Sequence, residues 1–163
     1  MVRFYAWLGD CLSLYVRQVA WLNTAPKSSG KVSDRHDEPT RLERLQKAGE
    51  RPLLPPNPAP YLTEWLFDVG PSGSNGMGET PIDYRDLVAW QDITGVELMP
   101  WEATTIRRLS RDFVAERHRA KEPACPAPYL DRDSVAAQRD DVAAKLKAAF
   151  GRASRQSPRP SGT

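Results

Sequence analysis

The sequence is short of the residues that most often carry chemistry. Cysteine occurs only at Cys11 and Cys125 and histidine only at His36 and His118. Neither a disulfide framework nor the close Cys/His spacing of a metal site can be built from these four. No histidine lies near a serine or cysteine in a known nucleophile signature, and the acidic residues sit mostly at helix caps and on helix faces. No catalytic residue, metal site or cofactor is therefore expected, and the chain reads as a non-enzyme. Charge of one sign is not in excess either. The formal net charge is +2, which marks neither a nucleic-acid binder nor a membrane binder. Long apolar runs are also missing: Asp10 and Arg17 interrupt MVRFYAWLGDCLSLYVRQVAWLN, so no run approaches the roughly 18 residues a bilayer requires. A soluble protein of a reducing cytoplasm is expected.

Proline, by contrast, is plentiful. The 15 prolines cluster, and apolar residues make up 40% of the chain, a low share for one packed from end to end. The expectation is an all-α fold, a small bundle of three to four short helices around an aromatic core, with proline-rich and disordered flanks. Residues 1–23 read as an amphipathic N-terminal helix, 24–38 as a linker and 39–119 as the helical module. Residues 120–132 read as a proline-rich linker, 133–150 as a further helix and 151–163 as a disordered tail.

Each helix has its own signature. Phe4, Leu8, Cys11, Leu12, Tyr15, Val19 and Leu22 recur at helical spacing and form one stripe. That stripe needs a cover: the module's own core, a second copy or a partner. A short helix is predicted from Pro39 to Ala48, ended by Gly49 and Pro52, with only Leu42 and Leu45 to pack. RPLLPPNPAP follows as a stiff extended lead-in. Tyr61, Leu62, Trp65, Leu66 and Val69 then share one helical face, and GPSGSNGMG (Gly70 to Gly78) reads as a loop.

The next helix is the best specified. Asp83 is its N-cap, Asp86 completes a short-armed capping box, Ile82 and Leu87 occupy the hydrophobic staple, and Gly95 ends it. Leu87, Val88, Trp90 and Ile93 are expected to be its buried side. A last core helix starts at Pro100, with Trp101, Ile106, Leu109 and Phe113 inward and Arg107, Arg108 and Arg111 facing water.

Taken in order, ERLQKAGERP, PAPYLTEWLFDV and GMGETPIDYRDLVAWQDITGVELMPWEATTIRRLSRDFV form a set: an aromatic helix, a glycine loop, a Pro-Ile cap, a Trp helix ending in Thr-Gly, and a Pro-Trp-Glu start. Over about residues 41 to 117 this resembles the small tail assembly chaperones of long-tailed bacteriophages and prophages. The resemblance implies a job without catalysis in the host bacterial cytoplasm. Such proteins bind the tape-measure protein, help the major tail-tube protein polymerise around it, and are missing from the finished particle. Two positions depart from the family pattern. Met99 stands where a Ser or Thr usually caps the last helix, and Asp83 stands where Ser or Thr is more frequent.

A client surface would draw on aromatic and methionine side chains. Phe67 lies off the apolar face of its helix, Met77 sits in a loop and Met99 at a helix start, so these three are the candidates for an exposed contact surface. Trp65, Trp90 and Trp101 read first as core, with a client groove as the second reading for Trp90 and Trp101. Self-association is left open. Two other functions stay in view. Arg107, Arg108, Arg111, Arg117 and Arg119 follow a helix and a Gly95 turn, as in a small helix-turn-helix DNA-binding protein, although Glu102, Asp112, Glu116 and Glu122 dilute the charge. A minor structural component of the tail is the other.

Overall fold

The frame of the molecule is a pair of 21-residue helices lying side by side, α1 (Val2–Leu22) and α5 (Pro100–Ala120). Between them in sequence come α2 (Arg41–Lys47), α3 (Pro60–Val69), the strands β1 (Gly73–Ser74) and β2 (Glu79–Thr80), and α4 (Tyr84–Thr94). This computed structural model describes residues 2–27 and 38–130, with side chains from Ala6 onward. The expectations for 133–150 and 151–163, for His36 and for most of the 24–38 linker lie outside the described residues.

Three polar contacts fix the sense in which α1 and α5 run. Asp10 accepts from Arg108 at 2.7 Å, Ser13 donates to Asp112 at 2.7 Å, and Arg17 pairs with Glu116 at 2.8 Å. Both sets of numbers rise together at helical steps, so the two helices are parallel. Along the same seam Leu8, Leu12, Val16 and Ala20, one every fourth residue, are buried in one cluster with Ile106, Leu109 and Phe113 of α5 and with Leu62 and Leu66 of α3. The cover left open for the N-terminal stripe is thus the module's own core. The stripe is also rotated from its expected line, because Val16 and Ala20 are buried while Cys11, Tyr15 and Val19 are half-buried at its edge.

Parallel packing sets two helix C-termini, each with its partial negative charge and unpaired carbonyls, at one end of the molecule. Arg41, the first residue of α2, is buried there. Its guanidinium donates to Ala120 O at 2.7 Å, Glu122 O at 3.1 Å and Thr24 O at 3.2 Å, and lies 4.6 Å from the centre of the Trp21 ring. Burial is the main cause lowering its pKa below the ordinary arginine value, but an arginine stays charged in a protein. Gln18, also buried, ties down the irregular segments: its amide donates to Leu53 O at 2.9 Å and accepts from Tyr129 N at 3.0 Å.

Several expectations need correction. The short helix starts at Arg41, not Pro39, because Thr40 is the cap: its hydroxyl accepts from Glu43 N and the Glu43 carboxylate accepts from Thr40 N. The glycine-rich stretch is not all loop, for Gly73 pairs with Thr80 and Ser74 with Glu79 in an antiparallel hairpin. The core is mainly aliphatic. Phe113 is the aromatic in the buried cluster, while Tyr15, Tyr61, Trp65 and Trp101 are packed against it and partly buried. The fold is mostly helical as expected, with five helices among the described residues, two of them long.

Candidate functional site

α4 shows how strictly local chemistry can position a surface. Asp83 accepts from Arg85 N at 2.7 Å and from Asp86 N at 3.3 Å, and Asp86 returns the bond by accepting from Asp83 N at 2.7 Å. The Arg85 N–H is the first cause holding the Asp83 carboxyl below its ordinary pKa. Ile82 and Leu87 are buried as the staple requires, and Gly95 ends the helix in the left-handed conformation, φ 72°. All five of these structural residues are where the sequence placed them.

The buried side of α4 is narrower than expected. Leu87 and Trp90 are buried, but Val88 is 53% and Ile93 86% exposed. Val88 follows Leu87 by about 100° of helical rotation, and two steps of three residues turn Ile93 about 120° away from Leu87. Only Leu87 and Trp90 can therefore face inward together. Trp90 leaves the candidate contact surface: it is buried, its indole N–H donates to Asp68 at 2.7 Å, and its ring lies 6.0 Å from Trp65. Trp65 stacks edge-on with Tyr61 at 4.9 Å and is half-buried, in keeping with a structural role. Trp101 is also half-buried, packed against the core.

The three residues proposed as exposed are all on the surface, at 36% for Phe67, 61% for Met99 and 95% for Met77. Phe67 rests one edge on Phe113 at 6.1 Å. Met99 starts α5, and since its side chain makes no capping bond, Glu102 supplies the one cap contact by accepting from Met99 N at 2.9 Å. The other Glu102 oxygen accepts from Tyr61 at 3.1 Å, which ties the start of α3 to the start of α5. From Met99 to Phe113 is about 21 Å along α5. Phe67 and Met99 are therefore two separate spots, not one.

Met77 is carried at the hairpin tip, beside Gly76 in the left-handed region at φ 80°. The base of the hairpin is held by a residue that the sequence reading passed over. Ser110 is fully buried, donates to Pro71 O at 2.8 Å and accepts from Ile82 N at 2.9 Å, so one hydroxyl closes both ends of the excursion. Glu79 adds a second anchor by accepting from Ser72 at 2.6 Å and from Arg117 at 2.8 Å.

The arginines of α5 are largely engaged within the protein. Arg107 lies 4.1 Å from the Tyr84 ring centre, and its hydrogen bond is the first cause drawing the Tyr84 hydroxyl below its usual pKa. Arg108 pairs with Asp10, Arg117 with Glu79 and Arg119 with Glu116. Arg107 and Arg108 are half-buried, not fully solvated, and Arg111 alone of the five is exposed with no ion pair among the described residues. That leaves little free positive charge for phosphate.

Among the described residues no group of three or more His, Cys, Asp or Glu could hold a metal ion, and no helix is long and apolar enough to cross a membrane. What the surface offers is apolar side chains on a braced frame. No curated protein and no solved structure matches the chain. Residues 39–115, from just before Arg41 to the second-last turn of α5, match the model of a family described as phage tail assembly chaperone.

Proposed function

We propose that the chain is a non-catalytic tail assembly chaperone that captures the tape-measure protein in the host cytoplasm and promotes polymerisation of tail-tube subunits around it. The family match over residues 39–115 carries this reading. The exposed side chains of Phe67, Met77 and Met99 support it, because they offer adaptable apolar contacts to an amphipathic helical client. Phe67 and Met99 border α3 at its two ends, and Met77 adds a third spot on a hairpin braced by Ser110 and Glu79. In this mechanism the aliphatic core keeps the frame fixed while the flexible methionines fit successive turns of the client.

The test is co-expression with the tape-measure protein encoded alongside. The chaperone should keep its client soluble and co-purify with it. F67S, M77S and M99S should each weaken capture by about tenfold, as expected for contacts worth about 1.4 kcal/mol. Met77 and Met99 are well exposed, so M77S and M99S should melt as the wild type does, whereas F67S also loses its edge contact with Phe113 and should melt lower while remaining folded. An insoluble client beside a folded, soluble chain would overturn the reading. Retention of the chain in purified particles would point instead to a structural component of the tail.

A further inference from the structure

The outer face of α4, beyond Tyr84 with its Arg107 contact, is open to solvent and has a definite charge order. Tyr84, Arg85, Val88, Ala89 and Asp92 line a shallow, mainly apolar groove along it. Arg85 extends into solvent with its side chain 93% exposed, holding Asp83 at 3.1 Å, and Ala89 and Asp92 are exposed as well. Arg85 and Asp92 are seven residues apart, two helical turns, and so lie on nearly the same line of the helix. The midpoint between them falls between Val88 and Ala89, about 5 Å from each charge along the axis.

From this register we infer that the α4 face binds a second copy of the chain, with the two α4 helices antiparallel about a two-fold axis level with Val88 and Ala89. An isologous contact requires a patch that complements itself. Reversing the helix about that midpoint brings Arg85 opposite Asp92 of the second copy, and Asp92 opposite its Arg85. The small Ala89 allows close approach, and Val88 meets its own symmetry mate at the centre. Two equal ion pairs thus flank an apolar contact, a match that follows from the order of residues in this one helix. The inference rests on the geometry of α4 and not on the chaperone reading. One helix from each subunit gives less area than a standard interface, so the association should be weak, with a dissociation constant on the order of 100 µM.

Sedimentation equilibrium of the full chain, from about 10 µM to about 1 mM, tests it. The wild type should move from its monomer mass of 18.3 kDa toward twice that value. R85D sets two carboxylates against each other at both ends of the contact, and D92R sets two guanidinium groups there; each should weaken association at least about tenfold. The double variant R85D/D92R restores the order in reverse and should dimerise as the wild type does. Misfolding is an unattractive explanation for either single loss, since an acid in the first turn and a base in the last turn both suit the helix dipole. In a C11S/C125S background, oxidised V88C should give a covalent dimer. A strictly monomeric wild type would overturn the proposal. So would a dimer insensitive to the reversals, or a double variant that stays monomeric while its circular dichroism is native.

Discussion

Replacing Ser110 by alanine removes a single oxygen from the protein, yet it opens both ends of the 71–82 excursion. The hydroxyl donates to Pro71 O at 2.8 Å and accepts from Ile82 N at 2.9 Å, and both Ser110 and Ile82 are buried. An average hydrogen bond lost to water would cost about 1 kcal/mol, but here water cannot replace the lost oxygen without entering the core. A buried group left unpaired costs about 1–3 kcal/mol, and there are two of them. Allowing for some relaxation at the partly exposed Pro71, S110A should lose about 2–4 kcal/mol. Urea unfolding should show a midpoint lower by about 1–2 M at unchanged slope. The control is T104A: Thr104 bonds Pro100 O on the exposed side of the same helix, and its loss should stay within about 0.5 kcal/mol. Native-state hydrogen exchange gives a second readout, with the Ile82 amide losing protection before the core amides of α5. If S110A behaved like T104A, the hydroxyl would not be the clip, and the bracing of Met77 argued from it would fail.

Three further outcomes follow from the same geometry. L12A removes a fully buried side chain of α1 and should destabilise the protein by about 2–5 kcal/mol in urea titration, whereas a helix only resting on the surface would tolerate it. R41M should cost about 2–4 kcal/mol by leaving carbonyls of Thr24, Ala120 and Glu122 unpaired, and R41K should recover only part of this, since an ammonium lacks the planar fork. Asp83 titrates below its ordinary value when folded, so its stabilisation is present above that value and is lost as pH falls through the lowered folded pKa. Melting temperatures of wild type and D83N should therefore differ at neutral pH and converge in acid, and a constant difference would show that the charge is irrelevant.

How much could be read beforehand depended on sequence distance. The Asp83–Asp86 box, the Ile82–Leu87 staple and the Gly95 stop lie within a few residues of one another, and each was legible. The off-face position of Phe67, and the loop and helix-start positions of Met77 and Met99, were enough to place all three on the surface. Ser110 was not legible, because its partners are 28 and 39 residues away. Arg41 was less so, with an acceptor 79 residues on, and so was the Ser13–Asp112 contact across 99. Nothing in RLERLQK says that its first arginine is buried, because that depends on two helix ends which only the parallel packing of α1 and α5 brings together. Val88 and Ile93 were misplaced for a different reason: apolar content stood in for direction, while three-residue steps drift around the helix.

The boundaries of the family match and of the folding unit do not coincide, and Arg41 shows why. It lies inside the matched segment 39–115, but the carbonyls it bonds, those of Thr24, Ala120 and Glu122, all lie outside. Leu8, Leu12, Val16 and Ala20, which cover Ile106, Leu109 and Phe113, are outside as well. Burying each of the two leucines and the valine contributes about 1.5–3 kcal/mol, so their cover is of the same order as the whole net stability of a typical small domain. The compact unit accordingly runs through Tyr129. In this chain the segment that carries the family signature depends on α1 for its core and on both helix ends for the partners of its one buried guanidinium.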